Sequence, residues 1–222
     1  MLAHDQLLTA YGRADRSRRW VRANFVASLD GAATHDGHAG GLGDPEDQQV
    51  LLLLRRLADV VVVGAGTVRA EGYGGLGVED PPPLAIVSAS LDLDPTAAVF
   101  TAPGPRPLVV THGRAPADRR AALAPVAEVL VCGDDVVDLH VLLDTLAARG
   151  MTQVLCEGGP RLFGSFVAAD VLDELCLTLS PQLEGGSATR ISRGDAQTTR
   201  PMRLGHAIAG ERMLFLRYER EG

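Results

Sequence analysis

The sequence predicts an α/β fold, with one domain built on a mixed, mostly parallel sheet that is flanked by helices. Three observations lead to this prediction. Short apolar runs rich in β-branched residues alternate with helical stretches along the chain, which is typical of parallel strands joined by helices. Two of these runs end directly in glycine-rich turns. The last two extended segments, on either side of Gly210-Glu211, predict an antiparallel C-terminal hairpin.

The first predicted elements are a strand, a loop and a helix. Residues 20–27 alternate in side-chain character and predict a strand, which stops at the turn dipeptide Asp30-Gly31. Residues 34–43 hold four glycines and two histidines, so we expect a mobile loop there rather than regular structure. Asp44-Pro45 has the pattern of a helix start, an N-cap acid followed by proline, and predicts a helix to about Ala58.

The rest of the chain repeats the alternation of strand and helix. Residues 60–63 are all valine, which predicts a strand buried on both faces. Asp138 and Gly150 suit the N-cap and C′ positions of one later helix. The other predicted strands are 84–87, 108–111, 127–131, 153–156, 175–179, 203–209 and 213–218, and the other predicted helices are 116–123, 139–149 and 161–168.

Length and charge restrict the class of protein. For 222 residues we expect a single core, and we assign residues 1–222 to one domain in which residues 1–18 form an N-terminal extension. The net charge of −7 provides no general attraction for nucleic acid or an anionic membrane, so a small molecule is the expected ligand. Residues 1–19 lack the apolar core of a signal peptide and no stretch has the length of a membrane span, which predicts a cytoplasmic protein.

The sequence predicts neither a disulfide framework nor a metal site. Cys132, Cys156 and Cys176 are odd in number, widely spaced and close to apolar runs, which indicates buried thiols. His35 and His38 lie in the glycine-rich loop, but a metal would need a further ligand that the pattern does not supply. We therefore expect these histidines to belong to a solvated loop.

Two glycine-rich junctions are the strongest functional signal. Gly64-Ala65-Gly66-Thr67 and Glu157-Gly158-Gly159-Pro160 each follow a predicted buried strand. Glycine at such a junction lets phosphate oxygens approach backbone N–H groups at a helix N-terminus. Neither junction has a GxGxxG or GxxxxGK[ST] pattern, and each alone is compatible with a plain tight turn. Together they predict a cradle for a dinucleotide.

Several polar residues near these junctions allow two interpretations each. Asp30 follows Ser28 in a turn, where an acid more often bonds to the local backbone than acts in catalysis. Arg55 lies late in a helix, where a cation suits the negative end of the dipole but is also placed to bind an anion. Glu157 stands at the mouth of a buried strand, where α/β sheets hold ligands, and we leave ligand contact and a structural role equally open.

Three motifs in order carry a resemblance to a known family. They are Ala27-Ser28-Leu29-Asp30-Gly31, Gly64-Ala65-Gly66-Thr67-Val68 and Glu157-Gly158-Gly159-Pro160-Arg161-Leu162. Together they resemble the reductase domain of the bifunctional riboflavin-biosynthesis deaminase-reductases, over almost the whole chain. The resemblance implies a dihydrofolate-reductase-like fold, NADPH as hydride donor, and a homodimer. It also implies a substrate in which a pyrimidinone carries a ribose phosphate, and reduction of that ribose to a ribityl chain.

The resemblance also implies roles for individual residues. Asp30 or Glu157 would be the catalytic acid or orienting group, and Asn24, Ser28 and Arg55 would bind the substrate, with Arg55 on its phosphate. The implied cofactor contacts are Gly64, Ala65, Thr67, Ser88, Gly158, Gly159 and Leu162, with Ser88 near the adenosine half. The 2′-phosphate of NADPH needs a cation, and Arg69, Arg114 and Arg161 remain open for that role.

This chain departs from the family pattern at several positions. Asn24 replaces a lysine that is usual in the bifunctional enzymes, and Ala39 replaces a serine expected to touch substrate. Residues 68–74 lack the family's paired aspartates, proline and following arginine, and the zinc-dependent deaminase domain has no counterpart in this sequence. A pteridine or dihydrofolate-type reductase is therefore the alternative. From another class, we keep a non-catalytic flavin- or nucleotide-binding protein.

Overall fold

A nine-stranded sheet runs through the protein, seen in a computed structural model that describes residues 3–12, 15–194, 197 and 199–221. The strand order is β5-β4-β3-β2-β6-β1-β7-β9-β8. The strands are β1 Trp20–Ala27, β2 Val60–Gly64, β3 Leu84–Val87, β4 Leu108–Thr111, β5 Glu128–Val131, β6 Gln153–Gly158, β7 Glu174–Leu179, β8 Met202–Ala209 and β9 Leu214–Arg220. The helices are α1 His4–Tyr11, α2 Pro45–Leu57, α3 Ala65–Glu71, α4 Ala98–Thr101, α5 Ala117–Leu123, α6 Leu139–Ala147 and α7 Pro160–Ala168.

The pairing of the strands confirms the predicted sheet. Strands β1 to β7 pair in parallel with one another, whereas β9 pairs antiparallel with both β7 and β8. Since β2, β6 and β1 are parallel neighbours, their carboxyl ends meet at one edge of the sheet. Both glycine junctions are therefore brought to that edge.

Apolar residues cover both faces of this one sheet. Val60 and Val62 pack on the face covered by α6 and α7, while Val61 and Val63 pack on the face covered by α1, α2 and α3. All four side chains are fully buried, which confirms the prediction of a strand buried on both faces. A smaller apolar cluster surrounds Leu123 near the β4–β5 edge. The expected single core is thus divided by the sheet into layers.

A buried ionic network joins β1, β7 and β9. Arg22 is 6% exposed and Glu174 is fully buried, with 2.6 Å between Arg22 Nε and Glu174 Oε1. Glu174 also accepts hydrogen bonds from Trp20 Nε1 at 2.8 Å and from Arg217. Because every buried charge in this group has an oppositely charged partner, their mutual attraction offsets the desolvation penalty of burying them.

The structure corrects the sequence analysis at four places. Helices α1, α3 and α4 were not predicted, and α1 lies within the N-terminal extension with Leu7 and Tyr11 buried. Residues 34–43 were expected to lack regular structure, but Ala39–Gly41 forms a 3₁₀ turn and the His35 and His38 backbones exchange two hydrogen bonds of 3.0 Å. The bounds of the predicted elements differ from the observed ones by at most two residues.

The cysteines and the lengths of the helices were also subjects of the sequence-based expectations. The three cysteines are free and buried, as predicted. No helix within the part of the chain that the structure describes is both long and apolar enough to cross a membrane.

Candidate functional site

A cleft of about 990 Å³ opens at the edge where β1, β2 and β6 end. Its walls are the 34–43 loop, the start of α2, and α3 with the turn that follows. Five of the predicted site residues line it, namely Asn24, Arg55, Thr67, Glu157 and Gly159. The structure thus brings together residues that were predicted to bind the substrate and residues that were predicted to bind the cofactor.

Glu157 lies at the end of β6 and is held by two partners. Arg55 on α2 donates from Nε to Oε1 at 2.7 Å and from Nη2 to Oε2 at 2.8 Å, and Tyr73 donates its hydroxyl to Oε2 at 2.7 Å. Burial raises the pKa of Tyr73, and the negative charge of Glu157 raises it further, so the hydroxyl remains a donor. The Glu157 carboxylate is therefore fixed in position by an ion pair and a hydrogen bond.

The two glycine junctions lie against each other. A Cβ on Gly64 would be 3.5 Å from the backbone nitrogen of Gly159, and a Cβ on Gly159 would be 2.5 Å from Thr67 Oγ1. Gly158 has a φ of +90°, and a Cβ there would be 2.8 Å from the Phe25 ring. Only glycine fits at 158 and 159 without displacing a neighbour. The backbone at this point is therefore packed closely by the Phe25 ring and the Thr67 hydroxyl.

The other predicted cofactor residues lie around this junction at different depths. Ala65 begins α3 and Leu162 lies in α7, and both are largely buried. Leu162 Cβ would be 3.8 Å from a Cβ on Gly64. Ser88 follows β3, is buried, and donates its backbone N–H to the Val110 carbonyl. Ser88 does not line the cleft. It follows the carboxyl end of β3, at the same edge of the sheet as the two junctions.

Ser28 and Asp30 form a turn outside the cleft lining. The Ser28 hydroxyl donates to the Asp30 carboxylate, which also accepts backbone N–H bonds from Gly185 at 2.7 Å and Glu184 at 3.2 Å. These bonds, led by that from Ser28, lower the pKa of Asp30 to about 2. An exposed carboxylate with these partners anchors the loops, and the geometry favours the backbone-bonding interpretation of Asp30 over the catalytic one.

Sequence reasoning missed Asp47, which also lines the cleft. It is the third residue of α2, and its Oδ1 is buried without a hydrogen-bond partner. Asn24 Oδ1, on β1, is likewise buried and without a partner. The sequence signal was a second acid after Asp44-Pro45, but acids in the first turn of a helix are commonly explained by the helix dipole alone.

The charge of the cleft is predominantly negative. Four carboxylates line it, those of Asp44, Asp47, Glu71 and Glu157. Among the residues that the structure describes, Arg55 is the one cation in the lining, and it is already paired with Glu157. The Glu71 carboxylate accepts the backbone N–H of Ala39 at 2.9 Å, which ties the 34–43 loop to α3.

The three candidate arginines for a 2′-phosphate lie outside the cleft lining. Arg69 donates to the carbonyl of Asp92 at 2.7 Å, and Arg114 pairs with Asp135 at 2.5 Å. Arg161 is exposed in the first turn of α7, beside Gly159. Across the described ranges, no three His, Cys, Asp or Glu side chains are grouped so as to hold a metal ion.

Comparisons with known proteins agree with this architecture. The model of the RibD C-terminal domain family matches residues 19–213. The chain is 31% identical over 179 residues to the 2,5-diamino-6-ribosylamino-4(3H)-pyrimidinone 5′-phosphate reductase of Methanothermobacter thermautotrophicus, a match that covers 78% of this chain and 82% of that protein.

Solved structures show the same fold. A pyrimidine reductase-like protein from Corynebacterium diphtheriae is 27% identical, with a TM-score of 0.86 over 97% of this chain and 98% of that one. The dihydrofolate reductase of Enterococcus faecalis superposes with a TM-score of 0.50 over 91% and 97% of the two chains. At 12% identity this second likeness concerns the fold alone.

Proposed function

Because the chain belongs to the RibD C-terminal domain family, we propose that it is an NADPH-dependent reductase that converts the ribose of a (di)aminopyrimidinone ribosylamino phosphate to a ribityl chain. The membership confirms the resemblance that the three sequence motifs carry, and the relative named above is a reductase of such a compound. The observation that carries the proposal is the meeting of both glycine junctions at the cleft that contains Glu157 and Arg55.

The residues at the junctions fit a dinucleotide. Gly158 and Gly159 let Phe25 and Thr67 pack against the backbone where β6 ends, Gly64 lies against them at the end of β2, and α7 begins directly at Pro160. We assign cofactor contacts to Gly64, Ala65, Thr67, Gly158, Gly159 and Leu162, and the adenosine side to Ser88. When bound, NADPH would supply a hydride to an electrophilic carbon of the substrate.

The substrate side consists of Asn24, Ser28, Arg55 and the acids. We propose that Glu157, fixed by Arg55 and Tyr73, orients the substrate. Asp30 keeps the predicted catalytic role as a hypothesis, although its partners in the turn support an anchoring role.

A pteridine-type reductase is the second candidate, and the charge of the cleft favours it. A phosphate ester would enter a lining with four carboxylates, where the one described cation is engaged by Glu157. A pteridine ring needs no phosphate site. The non-catalytic alternative predicts tight NADPH or pterin binding without turnover.

The deciding experiment follows the absorbance of reduced nicotinamide during incubation with three compounds in turn. These are the 2-amino pyrimidinone ribosylamino phosphate, its deaminated 2-oxo counterpart, and dihydrofolate. Turnover of either of the first two supports the proposal, and turnover of dihydrofolate alone supports the second candidate. Tight NADPH binding with no turnover of any compound would favour the non-catalytic binding protein and reject both enzymes.

Cofactor preference and assembly are tested separately. Alanine at whichever of Arg69, Arg114 and Arg161 binds the 2′-phosphate should weaken NADPH binding far more than NADH binding. Equal losses for both cofactors would reject that arginine.

We further propose a homodimer in the cytoplasm, to be measured by sedimentation of the purified chain and by cell fractionation.

A further inference from the structure

The glycine-rich 34–43 loop forms a wall of the cleft to which the proposed function gives no role. Four residues of this loop are glycines, whose backbones have wide conformational freedom. The position of the wall therefore depends on the contacts that tie the loop to the rest of the protein. Five residues of the loop line the cleft, namely Thr34, Gly37, Ala39, Gly40 and Gly43.

His35 makes one of these ties, to Glu184 in the loop that follows β7. Its Nδ1 atom lies 3.1 and 3.0 Å from the two carboxylate oxygens of Glu184. The Glu184 side chain is 13% exposed and its backbone N–H donates to Asp30 at 3.2 Å, so this acceptor is fixed in place. The His35 ring also packs on Gly41, where an added Cβ would lie 2.9 Å from the His35 Cβ. One imidazole thus connects the beginning of the 34–43 loop, its 3₁₀ turn and the neighbouring loop.

Two further ties of the loop use backbone groups, which do not titrate. The Ala39 N–H donates to the Glu71 carboxylate on α3 at 2.9 Å. The Gly41 carbonyl accepts a hydrogen bond from Gln182 Nε2 at 3.4 Å. These bonds keep the loop attached when the bond of His35 is weakened. We therefore expect a change at His35 to loosen the wall without unfolding the protein.

Carboxylates lie close to both nitrogens of the His35 ring. Nε2 is 3.6 Å from Asp36 Oδ2, while Nδ1 contacts Glu184. Within the described ranges, neither acid forms an ion pair with any other base. The hydrogen bond to Glu184, and then the charges of Glu184 and Asp36, raise the pKa of His35 above its ordinary value. The site therefore favours the imidazolium form.

The other titratable groups around this pair do not oppose a positive charge on His35. Asp30 holds the backbone of Glu184 from the turn after β1, and Glu71 approaches the loop from α3. Both are acids. His38 is the second base in the 34–43 loop, and it is exposed, with its backbone paired to that of His35. His35 is thus the base through which a change of pH acts on the tie to Glu184.

We propose that His35 is a positioning residue, whose imidazolium holds Glu184 and keeps the 34–43 loop against the cleft, and that loss of its proton weakens substrate binding. A protonated donor to a carboxylate forms the stronger, charge-assisted class of hydrogen bond, whereas neutral imidazole forms an ordinary one. The inference rests on the proposed function and adds a regulation by pH to the same cleft. Because the His35 side chain is 49% exposed, the expected effect on binding is about 2- to 5-fold.

The kinetic test follows KM and kcat for the 2-amino pyrimidinone ribosylamino phosphate, with saturating NADPH, from about pH 6 to about pH 9. We expect the wild-type KM to rise by about 2- to 5-fold across this range, with a smaller change in kcat, since Glu184 loses its cationic partner. His35→Gln should have the higher KM at every pH. His35→Lys, which stays charged throughout, should restore the lower KM and abolish the pH step.

A matched control lies in the same loop. His38→Gln makes the same change at a neighbouring exposed histidine that does not line the cleft, and it should keep the wild-type pH step. Glu184→Gln removes the acceptor of the tie instead of the donor. It should abolish the step although His35 is present.

Hydrogen exchange makes the result independent of turnover. At about pH 6, where wild-type His35 is protonated, the amides of residues 34–43 should exchange about 2- to 5-fold faster in His35→Gln than in wild type. At about pH 9 the two proteins should exchange alike, because His35 is then neutral in wild type as well. Comparing the proteins at the same pH removes the intrinsic pH dependence of exchange.

The possible failures are distinguishable. A wild-type pH step in the KM of His35→Gln, or wild-type exchange of its 34–43 loop at about pH 6, overturns the role of His35 and leaves the reductase untouched. If neither ribosylamino phosphate is turned over but the loop exchanges faster in His35→Gln, the proposed pyrimidinone reductase is rejected while the positioning of the loop by His35 is supported.

Discussion

The guanidinium of Arg55 is bound bidentately to the carboxylate of Glu157, with Nε–Oε1 and Nη2–Oε2 distances of 2.7 and 2.8 Å. Nη1 donates to the Leu76 carbonyl at 2.6 Å, so three of the five N–H donors are used within the protein. A phosphate group of the proposed substrate can therefore bind Arg55 only through the two N–H donors that remain. Each of the two side chains also compensates the charge that the other carries into the protein interior.

Removing one partner of this pair should destabilise the fold strongly. Arg55→Ala leaves the Glu157 side chain, which is 5% exposed, without its cation, and we expect a loss of about 3–5 kcal/mol in the free energy of unfolding. Arg56→Ala changes the exposed neighbour on the same helix and should stay within about 0.5 kcal/mol. Urea denaturation of both variants measures this, and similar stabilities would contradict a structural role of the pair.

The contact between the glycine junctions gives a second prediction. A methyl group at Gly159 would lie 2.5 Å from Thr67 Oγ1, and we expect Gly159→Ala to cost about 1–3 kcal/mol and to weaken NADPH binding. Removing the obstructing hydroxyl in the Gly159→Ala, Thr67→Ala double variant should restore part of the stability. Gly66→Ala, where no atom lies within 4 Å of the new methyl group, should instead stabilise α3 by about 0.5–1 kcal/mol. A double variant no more stable than Gly159→Ala would refute the steric explanation.

More of the fold than of the candidate site was predictable from the sequence. The strands and the junctions were predictable because β-branched runs and glycine turns are local signals, and the parallel order then brings β2 beside β6. The pairing of Arg55 with Glu157 was not, since 102 residues separate them and only the packing of α2 on the sheet makes them neighbours. Helix α1 was missed because only Leu7 and Tyr11 mark its buried side in a polar stretch. Asp47 was missed because acids in the first turn of a helix are commonly explained by the helix dipole alone.

The buried network around Glu174 gives a third prediction. Glu174→Gln keeps the shape of the side chain but leaves Arg22 without a negative partner in the interior and removes one of the two carboxylates that pair with Arg217. We expect a loss of about 3–5 kcal/mol, measured by thermal or urea unfolding. Asp144→Asn breaks the exposed pair with Arg19 and should change stability by less than about 1 kcal/mol. Equal effects of the two changes would show that burial does not strengthen the first network.

The carboxyl group of Asp30 should titrate at unusually low pH. Because the pKa of Asp30 is lowered to about 2 in the folded protein, its contribution to stability is present above the ordinary aspartate pKa and is lost as pH falls towards 2. Ser28→Ala removes the first cause of the shift but leaves the backbone N–H groups of Glu184 and Gly185 in place, and it should raise the pKa of Asp30 towards its ordinary value. A carboxyl-detected NMR titration of both proteins measures this, and an unchanged titration would show that the two backbone donors alone are sufficient.

Asp47 should reduce the stability of the protein at neutral pH. Its pKa is raised in the folded state by burial and by the Asp44 carboxylate at the α2 N-cap, against the hydrogen bond from Thr178 on β7. The folded protein therefore binds more protons than the unfolded chain between the ordinary aspartate pKa and the raised one, and stability falls as pH rises through that window. Asp47→Asn removes the charge and should raise the free energy of unfolding at neutral pH by roughly 0.5–2 kcal/mol.

The pH dependence separates this effect from simple repacking. The advantage of Asp47→Asn should shrink as pH falls through the window, because wild-type Asp47 is then protonated and neutral as well. Urea denaturation at a series of pH values measures the difference between the two proteins. A variant that is less stable than wild type at neutral pH would mean that the carboxylate stabilises the fold and would contradict this prediction.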